Sequence, residues 1–150
     1  MMQWHIVCDF DGTITGTDVI DNILQRFADP SWEAIEDQWL KGEIGSRECL
    51  RRQLSLVQAS PAQLLAYFDS VDIDPHFPDF VDHVISLGAS IEVVSDGIEQ
   101  AIARILARNY VTLLPILANR LRQMDQNRWR IDFPHSSDAC RAASGNCKCK

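Results

Sequence analysis

The sequence predicts an α/β fold in which a parallel sheet is interrupted by a helical insertion. Short apolar runs alternate with segments of helical periodicity, the order of elements expected around a parallel sheet. Residues 17–68 carry helical periodicity alone, and they separate the first apolar run from the second. Both runs end close to an Asp-Gly pair, at Asp11-Gly12 and Asp96-Gly97. The sequence therefore predicts two strands of one core, each followed by a polar loop.

The helical insertion follows the first predicted strand, residues 5–10. Apolar residues then recur at helical spacing in four stretches, at 19–27, 32–40, 46–57 and 60–68. The last stretch begins with Ser60-Pro61, a favoured helix start because Ser caps the helix and Pro suits its first turn. We therefore expect an α/β core at 1–16 and 72–150 and a helical cap at 17–71.

The remaining core residues continue the alternation of helices and strands. In order, they predict a helix at 78–87, a strand at 91–95, a helix at 98–106, a strand at 111–117 and a hairpin formed by 120–124 and 128–133. Strands separated by helices indicate a parallel sheet.

Composition restricts the classes of function. Lys and Arg total 14 against 21 Asp and Glu, and the net charge of −7 disfavours nucleic acid and anionic membranes as partners. No apolar run approaches the roughly 18 residues that span a bilayer. The first residues show no basic stretch followed by an apolar one, so we expect a cytoplasmic protein. The five cysteines, an odd number, do not suggest a disulfide framework.

The candidate site lies at the carboxyl ends of the first two strands, where open α/β sheets bind ligands. Asp9 and Asp11 are two residues apart, so both side chains face the same way from an extended strand end. Two adjacent carboxylates repel each other, and a divalent cation would offset that repulsion. Each Asp-Gly pair alone is typical of a turn. Together with Ser95 at the second strand end, the pattern predicts a catalytic centre.

The motifs of the core resemble those of a known family. Residues 8–15 read CDFDGTIT, residues 93–97 read VVSDG and residues 118–120 read ANR. With the helical insertion, this set resembles the haloacid-dehalogenase-like phosphohydrolases, in their phosphoserine-phosphatase-like branch. The C-terminal part, with DFPH at 132–135 and a Gly-x-Cys-Lys pattern at 145–148, is similar to the branch that includes 2-hydroxy-3-keto-5-methylthiopentenyl-1-phosphate phosphatase. The resemblance implies a Rossmann-like parallel sheet with a helical cap.

The resemblance also implies a Mg²⁺-dependent hydrolase that acts on a small phosphorylated metabolite through an aspartyl-phosphate. Asp9 would be the nucleophile and Asp11 the general acid and base. Mg²⁺ would be held by the Asp9 carboxylate and the Asp11 backbone carbonyl. The implied phosphate ligands are Ser95, Thr13 and a lysine. Lys148 and Lys150 are both candidates, and the Gly-x-Cys-Lys pattern favours Lys148.

Three positions depart from the phosphoserine phosphatase pattern. Asp18 stands at the start of the cap where Glu is usual, and Gln53 falls where an Arg binds the substrate carboxylate. Gln cannot make that bidentate charged contact, so phosphoserine is a poor substrate candidate. Arg51 or Arg52 could replace the missing Arg if the helix is rotated. Asp96 stands where Gly is usual, and a third carboxylate would repel phosphate unless it points away or to the metal.

The last motif of the family is an acidic pair that completes the Mg²⁺ shell, and it has no counterpart up to Lys150. We therefore expect a truncated core whose hydrolysis is weak or absent in this chain alone. Two alternatives stay open, a non-catalytic fragment that acts by interaction and a Cys/His metal-binding domain. The metal ligands would be His135, Cys140, Cys147 and Cys149, although Cys-x-Cys is tighter than the usual Cys-x2-Cys spacing of zinc sites.

Overall fold

A four-stranded sheet with the order β1-β2-β3-β4 organises residues 3–148, the part of the chain that the computed structural model describes. The strands are β1 (His5–Cys8), β2 (Ser90–Ile98), β3 (Ile116–Gln123) and β4 (Trp129–Asp132). β1, β2 and β3 are parallel, and β4 pairs antiparallel with β3. The predicted α/β class with a parallel sheet is confirmed, and β4 makes the sheet mixed.

Six helices accompany the sheet within residues 3–148. They are α1 (Val19–Phe27), α2 (Trp32–Leu40), α3 (Ser46–Leu54), α4 (Pro61–Phe68), α5 (Phe77–Ser86) and α6 (Glu99–Arg108). The first four lie between β1 and β2, where the sequence predicts them. Asp18 caps α1 by accepting the Asp21 N–H at 3.0 Å, and Ser60 begins α4 with a capping box. The division into core and cap as separate domains stays a prediction.

The third strand differs from the prediction. The sequence predicts a strand at 111–117 and a hairpin arm at 120–124, whereas the structure has one strand, β3, across these two regions. The predicted start is wrong because Pro115 has no N–H to donate to a ladder. Pairing begins with the Pro115 carbonyl, which accepts the Val93 N–H at 2.9 Å. β3 is therefore both the third parallel strand and the first arm of the hairpin with β4.

The end of β2 is irregular. The prediction ends this strand at Ser95, but pairing with β3 resumes at Ile98 after a shift in register that follows Val94. Ser95, Asp96 and Gly97 therefore lie in an interruption of the ladder. This irregularity turns their polar groups toward the loop that follows β1.

Apolar side chains of α6 and of the sheet form the centre of the core. Ile102, Ile105 and Leu106 recur at helical spacing and are at most 1% exposed. They belong to the same buried cluster as Val93 of β2 and Ala118 of β3. Truncating one such side chain, as in Ile105→Ala, costs about 2–5 kcal/mol. This packing holds the parallel strands so that their carboxyl ends share one edge.

β1 is the edge strand of the described sheet, with Trp4 65% and Val7 55% exposed on or beside it.

The longest helices in residues 3–148 have ten residues, and none is long and apolar enough to cross a membrane.

Candidate active site

The loop after β1 carries Asp9 and Asp11. Phe10, between them, is fully buried, and its carbonyl accepts three N–H groups from residues 13–15 at 3.2, 2.9 and 3.1 Å. Gly12 adopts a φ of 71°, a left-handed conformation that glycine reaches at low cost. This tight turn holds Phe10 in the core and leaves both carboxylates on the cavity side.

The Asp9 carboxylate is held through one oxygen. Its Oδ1 accepts the Phe10 N–H at 2.8 Å and lies 3.1 Å from Nζ of Lys148. Within residues 3–148 Oδ2 of Asp9 accepts no hydrogen bond, and the side chain is 49% exposed. The arrangement therefore orients the carboxylate and leaves one oxygen accessible from the cavity.

The Asp11 carboxyl group lies in an environment that raises its pKa. Its Oδ1 accepts the Val19 N–H at 2.9 Å. Burial raises the pKa of Asp11 to about 7, against the opposing effect of the Val19 N–H, and the charges of Asp18, Asp9 and Asp21 raise it further. A carboxyl group with this pKa exchanges its proton near neutral pH, which suits acid–base catalysis.

The loops after β1 and β2 meet as the strand order predicts. Ser95 is 1% exposed, and its Oγ accepts the Gly97 N–H at 2.9 Å. A Cβ added to Gly97 would lie 2.8 Å from Oδ2 of Asp11 and 3.0 Å from Oγ of Ser95. Gly97 therefore allows a close approach that any larger residue would obstruct.

Asn146 hydrogen-bonds the C-terminal segment to β2 and β3. Its side-chain amide donates to the carbonyls of Ser95, at 3.1 Å, and Leu117, at 2.5 Å, and its backbone N–H donates to Oδ1 of Asp96 at 2.6 Å. Burial raises the pKa of Asp96, while the Asn146 N–H and the charge of Lys148 oppose that shift. The carboxylate that departs from the family pattern is thus engaged by the segment that carries Lys148.

One cavity of about 410 Å³ joins these core groups to the helical insertion. From the core it is lined by Asp9, Asp11, Ser95, Asp96, Gly97 and Lys148. From the insertion it is lined by Asp18, Ile20, Asp21, Glu36, Trp39, Ser46, Cys49, Leu50 and Gln53. The predicted catalytic pair, the predicted serine and lysine, and two predicted cap residues therefore share one cavity.

Other predicted residues lie elsewhere. Thr13 is exposed and does not line this cavity, so its phosphate-binding role stays a prediction. Arg51 pairs with Glu48 at 2.6 Å and lines a separate cavity. Arg52 donates to Gln38 at 2.7 Å and does not line the cavity that contains Asp9 and Asp11. Lys150, the alternative phosphate-binding lysine, lies outside the described residues.

The donors at the strand ends fit Mg²⁺ in their chemistry. Carboxylate and carbonyl oxygens are hard ligands, and the accessible Asp9 carboxylate lies in the same loop as the Asp11 carbonyl. Between residues 3 and 148, no group of three or more His, Cys, Asp or Glu side chains is arranged to hold a metal ion. The alternative Cys/His site thus has no such cluster in this range, and its fourth candidate ligand, Cys149, is not described.

Among the residues of this region that sequence reasoning missed, Asn146 and Glu36 make the most informative contacts. Asn146 occupies the variable position of the Gly-x-Cys-Lys pattern, and nothing local indicates that its amide reaches two strands. Glu36 did carry a signal. It follows Trp32 by four residues and precedes Trp39 by three, so helical spacing places a charge among large apolar side chains.

Comparison with known proteins identifies relatives of this chain, although no protein-family model matches it. The 2-hydroxy-3-keto-5-methylthiopentenyl-1-phosphate phosphatase of Exiguobacterium sp. is 30% identical over an alignment that covers 98% of this chain and 68% of the relative. The enzyme of that name from Brevibacillus brevis is 33% identical over an alignment that covers 95% of this chain and 65% of the relative. The chain thus spans about two thirds of the length of these curated relatives.

A solved structure shares the fold. A phospho-aspartyl intermediate analogue of phosphoserine phosphatase superposes with a TM-score of 0.68 at 21% identity, over 87% of this chain and 64% of that one. The resemblance inferred from the motifs is confirmed by the relatives. The chain belongs to the family of the 2-hydroxy-3-keto-5-methylthiopentenyl-1-phosphate phosphatases, and it has the haloacid-dehalogenase-like fold of phosphoserine phosphatase.

Proposed function

We propose that this protein hydrolyses a phosphomonoester of a small metabolite, with Mg²⁺ and through an aspartyl-phosphate on Asp9. The observation that carries the proposal is the cavity wall on which Asp9 lies 3.1 Å from Lys148 and beside Asp11 and Ser95. This wall combines a nucleophile, a proton donor and a cation that can contact phosphoryl oxygens.

The reaction has two steps. The Asp9 carboxylate attacks phosphorus, the bond from phosphorus to the ester oxygen breaks, and Asp11 protonates that oxygen so that an alcohol leaves. The pKa of Asp11, raised to about 7 by burial, supports this role because the group retains a proton near neutral pH. In the second step Asp11 takes a proton from water, which attacks the same phosphorus and releases inorganic phosphate and free Asp9.

Positive charge and a hydroxyl donor support the phosphoryl group. The Lys148 ammonium is within reach of oxygens on a phosphoryl group bonded to Asp9. The Ser95 oxygen accepts the Gly97 N–H, so its own proton is available for a phosphoryl oxygen. Mg²⁺, when bound by the Asp9 carboxylate and the Asp11 carbonyl, supplies further positive charge there.

The substrate is a small molecule. A cavity of about 410 Å³ falls in the range of about 300–1,000 Å³ typical of small-ligand sites. The relatives are named for 2-hydroxy-3-keto-5-methylthiopentenyl-1-phosphate, and we propose a phosphorylated metabolite of similar size for this chain. The cytoplasmic location expected from the sequence belongs to the same proposal.

Phosphate release from p-nitrophenyl phosphate tests this function, measured with Mg²⁺ and again with a chelator. In keeping with the weak activity expected from the sequence, we expect slow hydrolysis that requires Mg²⁺ and is lost in Asp9→Asn, which removes the nucleophile. Asp72→Asn is the matched control, because Asp72 is exposed and does not line the cavity. An Asp9→Asn protein that is folded and hydrolyses the ester as fast as the control would overturn the assignment.

A further inference from the structure

Glu36 of α2 presents a carboxylate on the cap side of the cavity. Gln53 of α3, which is 2% exposed, donates to Oε2 of Glu36 at 2.7 Å, and the Cys49 thiol lies 3.8 Å from the same oxygen. Both contacts from the described part of the chain fall on Oε2. Glu36 lines the cavity, and its second oxygen accepts no hydrogen bond within the described residues, so it has capacity to accept one from a ligand.

The cap wall around Glu36 is acidic. Asp18, Asp21 and Glu36 line it, and the cap contributes no Lys or Arg to the described lining. Lys148, on the opposite wall, is the one basic side chain among the lining residues that the structure describes. A ligand with a phosphate at Lys148 thus places its organic part against negative charge.

This negative charge contributes to the raised pKa values of Asp21 and Cys49. Burial raises the pKa of Asp21, and the charges of Asp18 and Glu36 raise it further. Burial also raises the pKa of the Cys49 thiol to about 12, with the Glu36 carboxylate as the next cause, so the thiol stays neutral. Both shifts indicate that a further negative charge at this wall would be opposed.

Apolar side chains also line this wall. Ile20, Trp39 and Leu50 line it beside the acidic groups. These side chains provide contact area for carbon atoms of a ligand without adding a charge. The wall therefore combines apolar contact with the hydrogen-bond acceptor that Glu36 presents.

We propose that the Glu36–Gln53 pair selects phosphomonoesters whose organic part offers a hydroxyl to Glu36 and carries no carboxylate. The inference rests on the proposed function, because it assumes that phosphate lies at Asp9 and Lys148. A hydroxyl donates to the Glu36 carboxylate in a charge-assisted hydrogen bond. A carboxylate at that position has no proton to donate and is repelled.

A matched pair of ligands tests the selection. Glycerol 2-phosphate and 2-phosphoglycerate differ only where a hydroxymethyl group replaces a carboxylate. We expect the wild-type chain, with Mg²⁺, to bind glycerol 2-phosphate at least about tenfold more tightly in calorimetry, which corresponds to about 1.4 kcal/mol. The rates of phosphate release from the two esters give a second readout.

Variants assign the selection to Glu36. In Glu36→Gln we expect the ratio of the two affinities to fall to less than about threefold, because the charge is lost while an acceptor for Gln53 remains. In Glu36→Gln with Gln53→Arg we expect 2-phosphoglycerate to bind more tightly than glycerol 2-phosphate, since a guanidinium pairs with its carboxylate. Glu33→Gln is the matched control, because Glu33 lies on the same helix, is exposed and does not line the cavity.

The outcomes separate the two proposals, with urea unfolding used to confirm that each variant is folded. Equal affinities for the two esters in the wild type, or a ratio that Glu36→Gln leaves unchanged, overturn the selection by Glu36. If inorganic phosphate binds in the same experiment, the proposed function survives that result. Failure of inorganic phosphate and both esters to bind with Mg²⁺ overturns the proposed function, and the selection falls with it.

Discussion

Replacing Gly97 with alanine tests the approach of the two strand-end loops. The new Cβ would lie 2.8 Å from Oδ2 of Asp11 and 3.0 Å from Oγ of Ser95. Ordinary contact begins at 3.4 Å, so Asp11 would have to move by 3.4 − 2.8 = 0.6 Å and Ser95 by 3.4 − 3.0 = 0.4 Å. Asp11 cannot turn freely, because its other oxygen accepts the Val19 N–H at 2.9 Å.

We expect Gly97→Ala to impair catalysis more than stability. Misplacement of a catalytic group by about 1 Å can cost about 10²-fold in rate, so a shift of 0.6 Å should lower kcat/KM by about 10- to 100-fold. Overpacking of this kind costs about 1–3 kcal/mol of unfolding free energy. The assays are hydrolysis of p-nitrophenyl phosphate with Mg²⁺ and unfolding in urea.

Gly16→Ala is the matched control. A Cβ added to Gly16 meets nothing within 4 Å, and Gly16 has no positive φ that would strain an alanine. We expect its stability to stay within about 0.5 kcal/mol of the wild type and its kcat/KM to be unchanged. Equal kcat/KM values for Gly97→Ala and Gly16→Ala would refute the close approach of the Asp11 and Ser95 side chains to Gly97.

Three further predictions concern Asp11, Asn146 and Lys148. Burial raises the pKa of Asp11 from 3.8 to about 7, so the folded chain holds this proton more tightly than the unfolded chain. The free energy of unfolding of the metal-free protein should therefore fall as the pH rises from about 4 to about 7. In a chelator, Asp11→Asn should remove the part of this fall that comes from Asp11, while the raised pKa values of Asp21 and Asp96 leave their own parts. The variant should be more stable above pH 7 by about 2–4 kcal/mol, and equal pH dependence of urea unfolding in both proteins would contradict the burial argument. Asn146→Ala removes the side-chain donor from the carbonyls of Ser95 and Leu117 and should cost about 2–4 kcal/mol in urea unfolding. A cost below about 0.5 kcal/mol would show that other donors satisfy these carbonyls. Lys148→Gln should weaken binding of inorganic phosphate by about 10- to 100-fold in calorimetry, and unchanged affinity would exclude Lys148 as a phosphate ligand.

Local signals account for much of the fold. Ser60-Pro61 does begin a helix, and the apolar runs before Asp9 and before Asp96 do form neighbouring parallel strands. The convergence of Asp11 with Ser95 follows from that parallel pairing. These features depend on periodicity and on residue types next to one another in the chain.

Contacts distant in sequence account for the rest. The start of β3 depends on the N–H of Val93 reaching the Pro115 carbonyl in another segment, which no local pattern contains. Asn146 likewise bonds with groups 51 and 29 positions away in the chain, at Ser95 and Leu117. The orientation of Glu36 depends on Gln53 of the neighbouring helix.

The central claim is that Asp9 is the nucleophile, and the most direct measurement is the mass of the peptide that contains it after acid quenching during turnover. With a phosphomonoester and Mg²⁺, we predict one added phosphoryl group on that peptide, located on Asp9 and absent in Asp9→Asn. Phosphate release without phosphorylated Asp9, or equal labelling of the Asp9→Asn protein, would contradict the account.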